Sequence, residues 1–449
     1  SRVESFTTGR YRLPPPRRGT PPLRQSEIRI LVPHPERRFP LKKLYLRPFS
    51  SPLHDAHHLE AKLSQAEGFL SDSFQVERLS PTDEVPEEAF LVDLILSGGS
   101  EGVFRVHAEE ALSRPVLLLA DGRDNSLAAA LEILSWVKGQ GGHAELLHGP
   151  SESLQWRLRE HYLYHLARVR LKGPFGTVGG PSEWLIAGEC DYGNLRRRWG
   201  SEVVEIPMEE LEELYQALPP SAGKEEADSL WKGSRSSEIG RNELEKACRL
   251  LPALEEIFKR YALKALTVRC FGLIESLATT GCTAFSLLND RGLTCGCEGD
   301  LSSLFSMVLL ECLSGVPSFM ANPSLLEREG NRIVLAHCTV PTKIGEGYRL
   351  QSHFETKIGA ALGGSFLPGP VTLLRVGGPR MDEFFLASGE LLDSQPDPNL
   401  CRTRINLRLN RSLDYFFENP LGNHIVVVPG DQEKRVEGFC RLFNLRRRG

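Results

Sequence analysis

The residues in this sequence with the types and placement to do chemistry are Glu298, Asn322, His337 and His424. Glu298 lies in LTCGCEGD, Asn322 in SFMANPS, His337 in RIVLAHCTV and His424 in GNHIVVVPGD. A carboxylate, an amide oxygen and two imidazoles form an oxygen and nitrogen donor set. Such donors suit Mn²⁺, Mg²⁺ or Co²⁺ better than a soft, thiolate-bound ion. Glu298 and His424 are the leading ligand candidates, with His337 and Asn322 behind them. Cys295, Cys297 and Cys338 point towards zinc by type, but a CxC followed far later by HC lacks the spacing of a zinc finger. Buried thiols beside the site are the better expectation. Cys282 could be a nucleophile by type, yet no histidine partner is legible for it.

The elements around these residues explain how they could meet. Asp300 is a suitable helix N-cap before an apolar stripe at Leu301, Leu304, Phe305, Val308 and Cys312. Gly315 and Pro317 supply the stop. Val316 to Ala321 and Ile333 to Ala336 are short, apolar and β-rich, which predicts buried strands. Glu298 then stands beside a helix start, Asn322 and His337 at strand ends, and His424 just before a further strand.

Length and composition bound the rest. The 449 residues are enough for two or three domains, and 41% hydrophobic with 25% charged residues is an ordinary globular balance. A net charge of -4 gives no electrostatic case for nucleic acid or an anionic membrane. The basic runs 196–198 and 446–448 read as solvated faces. No apolar run approaches the roughly 18 residues of a membrane span, and the first residues lack a signal-peptide core. Ten cysteines are scattered, several inside apolar elements, a pattern of reduced thiols that predicts a cytoplasmic protein.

In chain order, residues 1–26 are rich in Pro, Arg and Gly and read as an arm. EIRILVP at 27–33 predicts a strand, 58–66 and 124–138 predict helices, and FLVDLIL, RPVLLLA and 144–147 predict strands. Strands alternating with helices imply a parallel sheet. SGGSE at 97–101 follows a strand but is neither GxGxxG nor a P-loop, so a tight turn is expected. A second unit of the same kind begins near residue 170, with Trp184 opening a helix and 203–206 as a strand. Residues 219–241 are polar and predict an exposed loop. Leu244 to Tyr261 reads as one long amphipathic segment kinked at Pro252. From about 350 to 430 the pattern is dominated by strands, which predicts a β-rich, barrel-like part.

Taken together, CEGDL, SGVPSFMANPS, AHCT, SHFETKIG, CRTRI and GNHIVVVPGD resemble the L-fucose isomerase and L-arabinose isomerase superfamily, and within it the fucose-isomerase-like proteins. The likeness is specific from about Thr267 to Asp431 and extends loosely forward. It implies an α/β fold with Rossmann-like N-terminal (27–168) and middle (169–345) domains and a β-rich, barrel-like C-terminal domain (346–449). It implies a metal-dependent sugar isomerase that interconverts an aldose and a ketose through an enediol, holding a divalent metal, usually Mn²⁺. A homo-oligomer, trimer or hexamer, is implied as well, with a small-molecule sugar as its partner.

Carried over residue by residue, the resemblance makes Glu298 a metal ligand and acid/base group, and His424 a metal ligand. His337 falls near metal or sugar. The same motifs offer His353, Arg402 and Asn423 as sugar contacts. Asn322 occupies the position of a catalytic, metal-binding Asp. A neutral amide can ligate but cannot carry a proton, so Asp300 and Glu355 become candidates for the second acid/base group. The same departure favours the alternative of a homologue that binds a sugar without isomerising it.

Overall fold

The computed structural model describes residues 42–106, 112, 114–187 and 190–449. The arm expected at 1–26 and the strand expected at 27–33 lie outside these residues. Among the described residues four sheets organise the rest: two parallel ones, a closed antiparallel barrel and a separate two-stranded hairpin.

The first sheet holds β1 (Lys43–Phe49), β2 (Gln75–Arg78), β3 (Leu91–Ile95), β4 (Val116–Ala120) and β5 (Ala144–Leu147) in the order β2-β1-β3-β4-β5, all parallel. β3 and β4 are buried at every position because helices cover both faces, as parallel sheets require. Period-two alternation divides their side chains. Val92, Leu94, Leu117 and Leu119 pack under helices Ala56–Ser71 and Ser151–Leu171. Ile95, Val116, Leu118 and Ala120 pack against helix Ser126–Gly139 on the other face. β1 and β2 had no counterpart in the sequence reading, since LYLRPF and QVER are too short and polar to stand out.

The second sheet, β6 (Phe175–Val178), β7 (Val203–Ile206), β8 (Ala265–Val268) and β9 (Thr294–Cys297), is also parallel, in the order β7-β6-β8-β9. Helix Leu301–Ser314 follows β9 and is buried at every residue. A helix that is apolar on most of its circumference has no solvent face, so it must be covered on all sides. It packs on β8 and β9 on one side and on the barrel on the other.

The remaining strands are β10 (Phe319–Glu327), β11 (Arg332–His337), the hairpin β12 (Gly347–Gln351) with β13 (Ala361–Ser365), β14 (Gly369–Gly377), β15 (Glu383–Asp393), β16 (Thr403–Leu409), β17 (Ile425–Pro429) and the short β18 (Arg446–Arg447). Six of them run β14-β17-β10-β11-β16-β15, and β15 pairs back onto β14, so the sheet closes with every pairing antiparallel. Closure removes the free edges. β10 and β11 follow the second parallel sheet directly in sequence but belong to this barrel.

Several expectations are corrected. Residues 219–241 are not a continuous loop: Lys224–Gly233 is a helix whose Ala227 and Leu230 are buried in the barrel-side core. Three apolar residues in ten, Ala227, Leu230 and Trp231, gave no visible stripe. The segment 244–261 is two helices, Arg241–Cys248 and Leu250–Arg260, broken at Arg249 rather than kinked at Pro252. Pro252 sits in the first turn of the second helix, where a missing N–H leaves no hydrogen bond unmade. Trp184 opens no helix; it lies in a turn. Asn322 lies within β10, not at a strand end, because the strand starts at Phe319 and continues into a hairpin with β11.

Candidate metal centre

The site begins at the junction between β9 and the central helix. Glu298 and Gly299 both have left-handed backbone, with φ of 65° and 74°. A left-handed glutamate is strained, by about 1 kcal/mol or more, and two contacts hold it there. The backbone N–H of Ser182 donates to the Glu298 carbonyl at 2.8 Å. Gly299 lies so close to the neighbouring loop that a Cβ on it would stand 2.1 Å from the Gly180 carbonyl oxygen. Only glycine fits, and this contact explains the pairing of GGPSE with CEGD. The Asp300 side chain then accepts from the Ser303 N–H at 2.8 Å as the expected N-cap.

Barrel strands bring the other donors. His337 ends β11, and His424 directly precedes β17. His337 Nε2 and His424 Nε2 each lie 3.6 Å from Glu298 Oε1. All three side chains are buried, and among the described residues they form a cluster whose donor atoms lie within 4.8 Å of one another.

Two of the three donors, Glu298 and His424, are held from behind. The indole N–H of Trp184 donates to Glu298 Oε2 at 2.6 Å, leaving Oε1 towards the histidines. His424 Nδ1 is 2.9 Å from Asp300 Oδ2. In its neutral form with the proton on Nδ1, His424 turns the Nε2 lone pair towards Glu298 Oε1. Arg375, fully buried, donates to Asp300 Oδ2 at 2.9 Å and also bonds Ser303 Oγ. Asp300 therefore serves at once as helix cap, partner of Arg375 and orienter of His424.

Burial alone would raise the Glu298 carboxyl, but His337 and His424 outweigh it and hold the group well below the usual carboxylate range. Asp300 is likewise held down against its burial, chiefly by Arg375 and then by His424. Burial lowers His424, and the two carboxylates overcome this and push it up. Glu298 is thus an anion at neutral pH.

These residues fit a divalent cation. His424 Nε2 is a buried nitrogen with no hydrogen-bond partner, and it faces the carboxylate. Donors sharing one ion at about 2.1 Å stand roughly 3.0–3.5 Å apart, close to the 3.6 Å from Glu298 Oε1 to each imidazole nitrogen. An outer carboxylate on the far imidazole nitrogen is the usual support of a metal-binding histidine.

The cluster opens into a cavity of about 690 Å³, lined among others by Trp184, Phe271, Glu298, Asn322, Glu355 and Asn423. Asn322 Oδ1 accepts from Asn423 Nδ2 at 3.1 Å. Glu355 lines the same space with its side chain 56% exposed. Asp300 is sealed from solvent at the side chain. His353 is buried, contacts Thr356 Oγ1 through Nδ1 and sets its ring edge-on to Phe271. Arg402 donates to the Ser352 carbonyl and hydroxyl, so it braces the His353 loop.

The thiols form no such donor group. Cys297 Sγ contacts Thr339 Oγ1 at 3.2 Å, and burial raises Cys282 and Cys295 far above the ordinary thiol value. Trp184 and Phe271 are the site residues the sequence reading missed. Their rings meet edge to face at 5.0 Å. The Gly-Gly-Pro turn before Trp184 was the available signal, a turn tight enough to deliver an aromatic ring to a neighbouring loop.

No protein-family model matches the chain. Two curated relatives do. A sulfoquinovose isomerase of Alkalicoccus urumqiensis is 23% identical over 279 residues, covering 60% of this chain and 63% of that protein. A sulfoquinovose isomerase of Clostridium sp. (strain MSTE9) is 28% identical over 135 residues, covering 29% of this chain and 30% of that protein. The chain therefore spans less than two thirds of the length of either relative.

Proposed function

We propose that this chain is a metal-dependent aldose–ketose isomerase of the fucose-isomerase-like kind, acting on a monosaccharide. The observation that carries this reading is Glu298 Oε1 set 3.6 Å from both imidazole nitrogens at the wall of a sugar-sized cavity. Two relatives named as sugar isomerases support it. Glu298, His337 and His424 would hold the cation, with the Asn322 amide oxygen as a further ligand, and Mn²⁺, Mg²⁺ or Co²⁺ suits that set. A bound divalent ion supplies Lewis acidity towards two adjacent sugar oxygens.

The chain's own groups do the rest. Isomerisation takes a proton from the carbon next to the carbonyl and returns it to the carbonyl carbon, while the hydroxyl proton passes to the carbonyl oxygen. Glu298, ionised and held by Trp184, is the buried base. Glu355, exposed on the cavity side, is the group that exchanges protons with solvent. Asp300 works through His424 as a positioning residue. Phe271 and Trp184 offer apolar rings to the C–H face of a sugar. His353, braced by Arg402, backs Phe271. None of the residues found lining the cavity is a lysine or arginine, so unsubstituted aldoses belong in the substrate screen beside sulfoquinovose. Assembly as a homo-oligomer in the cytoplasm accompanies this reading.

Asn322 favours a second reading, a sugar-binding homologue without turnover, because its amide replaces a proton-carrying carboxylate. The deciding experiment measures bound metal and sugar turnover in the purified protein and in Glu298→Gln. Stoichiometric Mn²⁺ with deuterium exchange at C1 or C2, both lost in Glu298→Gln, is expected. Sugar binding without exchange supports the second reading, and unchanged exchange in Glu298→Gln removes the assigned base.

A further inference from the structure

Thiols border the metal centre on two sides, and the proposed reaction uses none of them. Cys297 precedes Glu298, and Cys338 follows His337 at the end of β11. β11 pairs with β16 so that His337 faces Thr403, which brings the chain at Cys401 beside Cys338. Cys338, Cys282 and Ala361 form a small buried cluster of their own, with Cys401 and Phe354 packed against it. The Cys338 and Cys401 thiols lie close enough to influence each other's charge. Cys338 is buried, whereas Cys401 is half-buried. Cys401, only half-buried, is therefore the member of the pair that a small oxidant reaches.

We propose that Cys338 and Cys401 are a redox-active pair whose closure to a disulfide disables the neighbouring metal centre. The part concerning the metal rests on the function proposed above; the disulfide does not. With hydrogen peroxide as oxidant, the Cys401 sulfur attacks one peroxide oxygen, the O–O bond breaks, and water leaves with the thiol proton. The Cys338 sulfur then attacks the sulfenic sulfur, the S–S bond forms, the S–O bond breaks and a second water leaves. Two thiols are oxidised by two electrons and one peroxide is reduced to two waters.

The consequence for the site is geometric. A disulfide needs its sulfurs at about 2.05 Å, well inside the closest approach of two unbonded thiols. Cys338 is fixed in a packed cluster and is covalently next to His337, so drawing its sulfur across that gap pulls on the end of β11. His337 Nε2 then leaves its position opposite Glu298. Disturbing the support of a ligand typically lowers metal affinity 10- to 100-fold.

The test treats the full chain with stoichiometric hydrogen peroxide, caps free thiols, digests the protein and maps cross-linked peptides by mass. Mn²⁺ affinity is measured by titration on the same samples. The expected result is a peptide joining Cys338 to Cys401, lighter by two hydrogens, with Mn²⁺ affinity reduced roughly tenfold or more and restored by dithiothreitol. Cys401→Ser should form no such peptide and should keep its Mn²⁺ affinity under peroxide. Cross-linking of Cys338 to Cys282 instead, overoxidised but unlinked thiols, or the expected peptide with unchanged affinity would each overturn the proposal. Reduced protein that binds no Mn²⁺ overturns the metal-centre reading, and the peptide map then decides the pair on its own.

Discussion

Replacing Asp300 with Asn separates what this residue does for the fold from what it does for the site. The helix cap survives, because Asn caps about as well as Asp. The ion pair does not. Arg375 and Asp300 both have fully buried side chains, so the substitution leaves a guanidinium without its counter-charge. Breaking a buried pair from one side costs about 3–5 kcal/mol, and a cap change costs a few tenths at most. Charge burial therefore dominates, and Asp300→Asn should lose about 3–4 kcal/mol, read as a large fall in the urea midpoint. Adding Arg375→Met removes the stranded charge, and replacing both partners is often near neutral. The double variant should recover most of the stability. His424 still lacks the carboxylate that fixes its Nδ1, so Mn²⁺ affinity should stay 10- to 100-fold down in both variants. A loss under about 1 kcal/mol in the single variant would refute the ion-pair argument. Return of full Mn²⁺ affinity in the double variant would refute the orienting role.

Two further outcomes follow from the same geometry. Gly299→Ala puts a Cβ 2.1 Å from the Gly180 carbonyl oxygen at a φ of 74°, so the two loops must part. A loss of about 2 kcal/mol or more is expected, with weakened metal binding because Glu298 shifts; thermal melts with and without Mn²⁺ check it, and a melt matching the parent protein would contradict the close approach. Burial depresses His161 to about 3 and His165 to about 4. A depressed value means the unfolded chain binds the proton first, so stability is full above about pH 6.5 and falls as the pH drops towards 3–4. At pH 5 the loss is up to about 2 kcal/mol per histidine, at about 1.4 kcal/mol per unit. Urea midpoints at pH 7.5 and 5 should differ less in His161→Phe than in the parent, and equal differences would rule out this source of acid sensitivity.

Local signals in the sequence were sufficient for the middle of the site. Asp300 before an apolar run is a cap wherever it occurs, and Gly315 ends the helix in left-handed backbone as glycine does. The strand carrying His337 and the strand after His424 were legible because their apolar runs are bounded by polar turns. Glu298, His337 and His424 were candidates by residue type and resemblance. Period and capping are properties of a few adjacent residues, so a single chain displays them.

What the sequence could not display depends on partners distant along the chain. LAH at 335–337 follows a parallel unit, yet β11 pairs with β10 and β16 to close the barrel. Pairing is decided by which exposed edges remain after collapse, and no local pattern encodes that. Trp184 looked like a helix start; only the contact between the Gly179–Ser182 loop and the Glu298 turn makes it a hydrogen-bond donor to Oε2. Asp300 and Glu355 looked equivalent as carboxylates. Tertiary burial divided them, sealing Asp300 against Arg375 and leaving Glu355 on the cavity wall. The sequence by itself determined which side chains were available and how each local element begins and ends. The tertiary structure decided which of them share one space, because desolvation and ion pairing depend on what packs around a group.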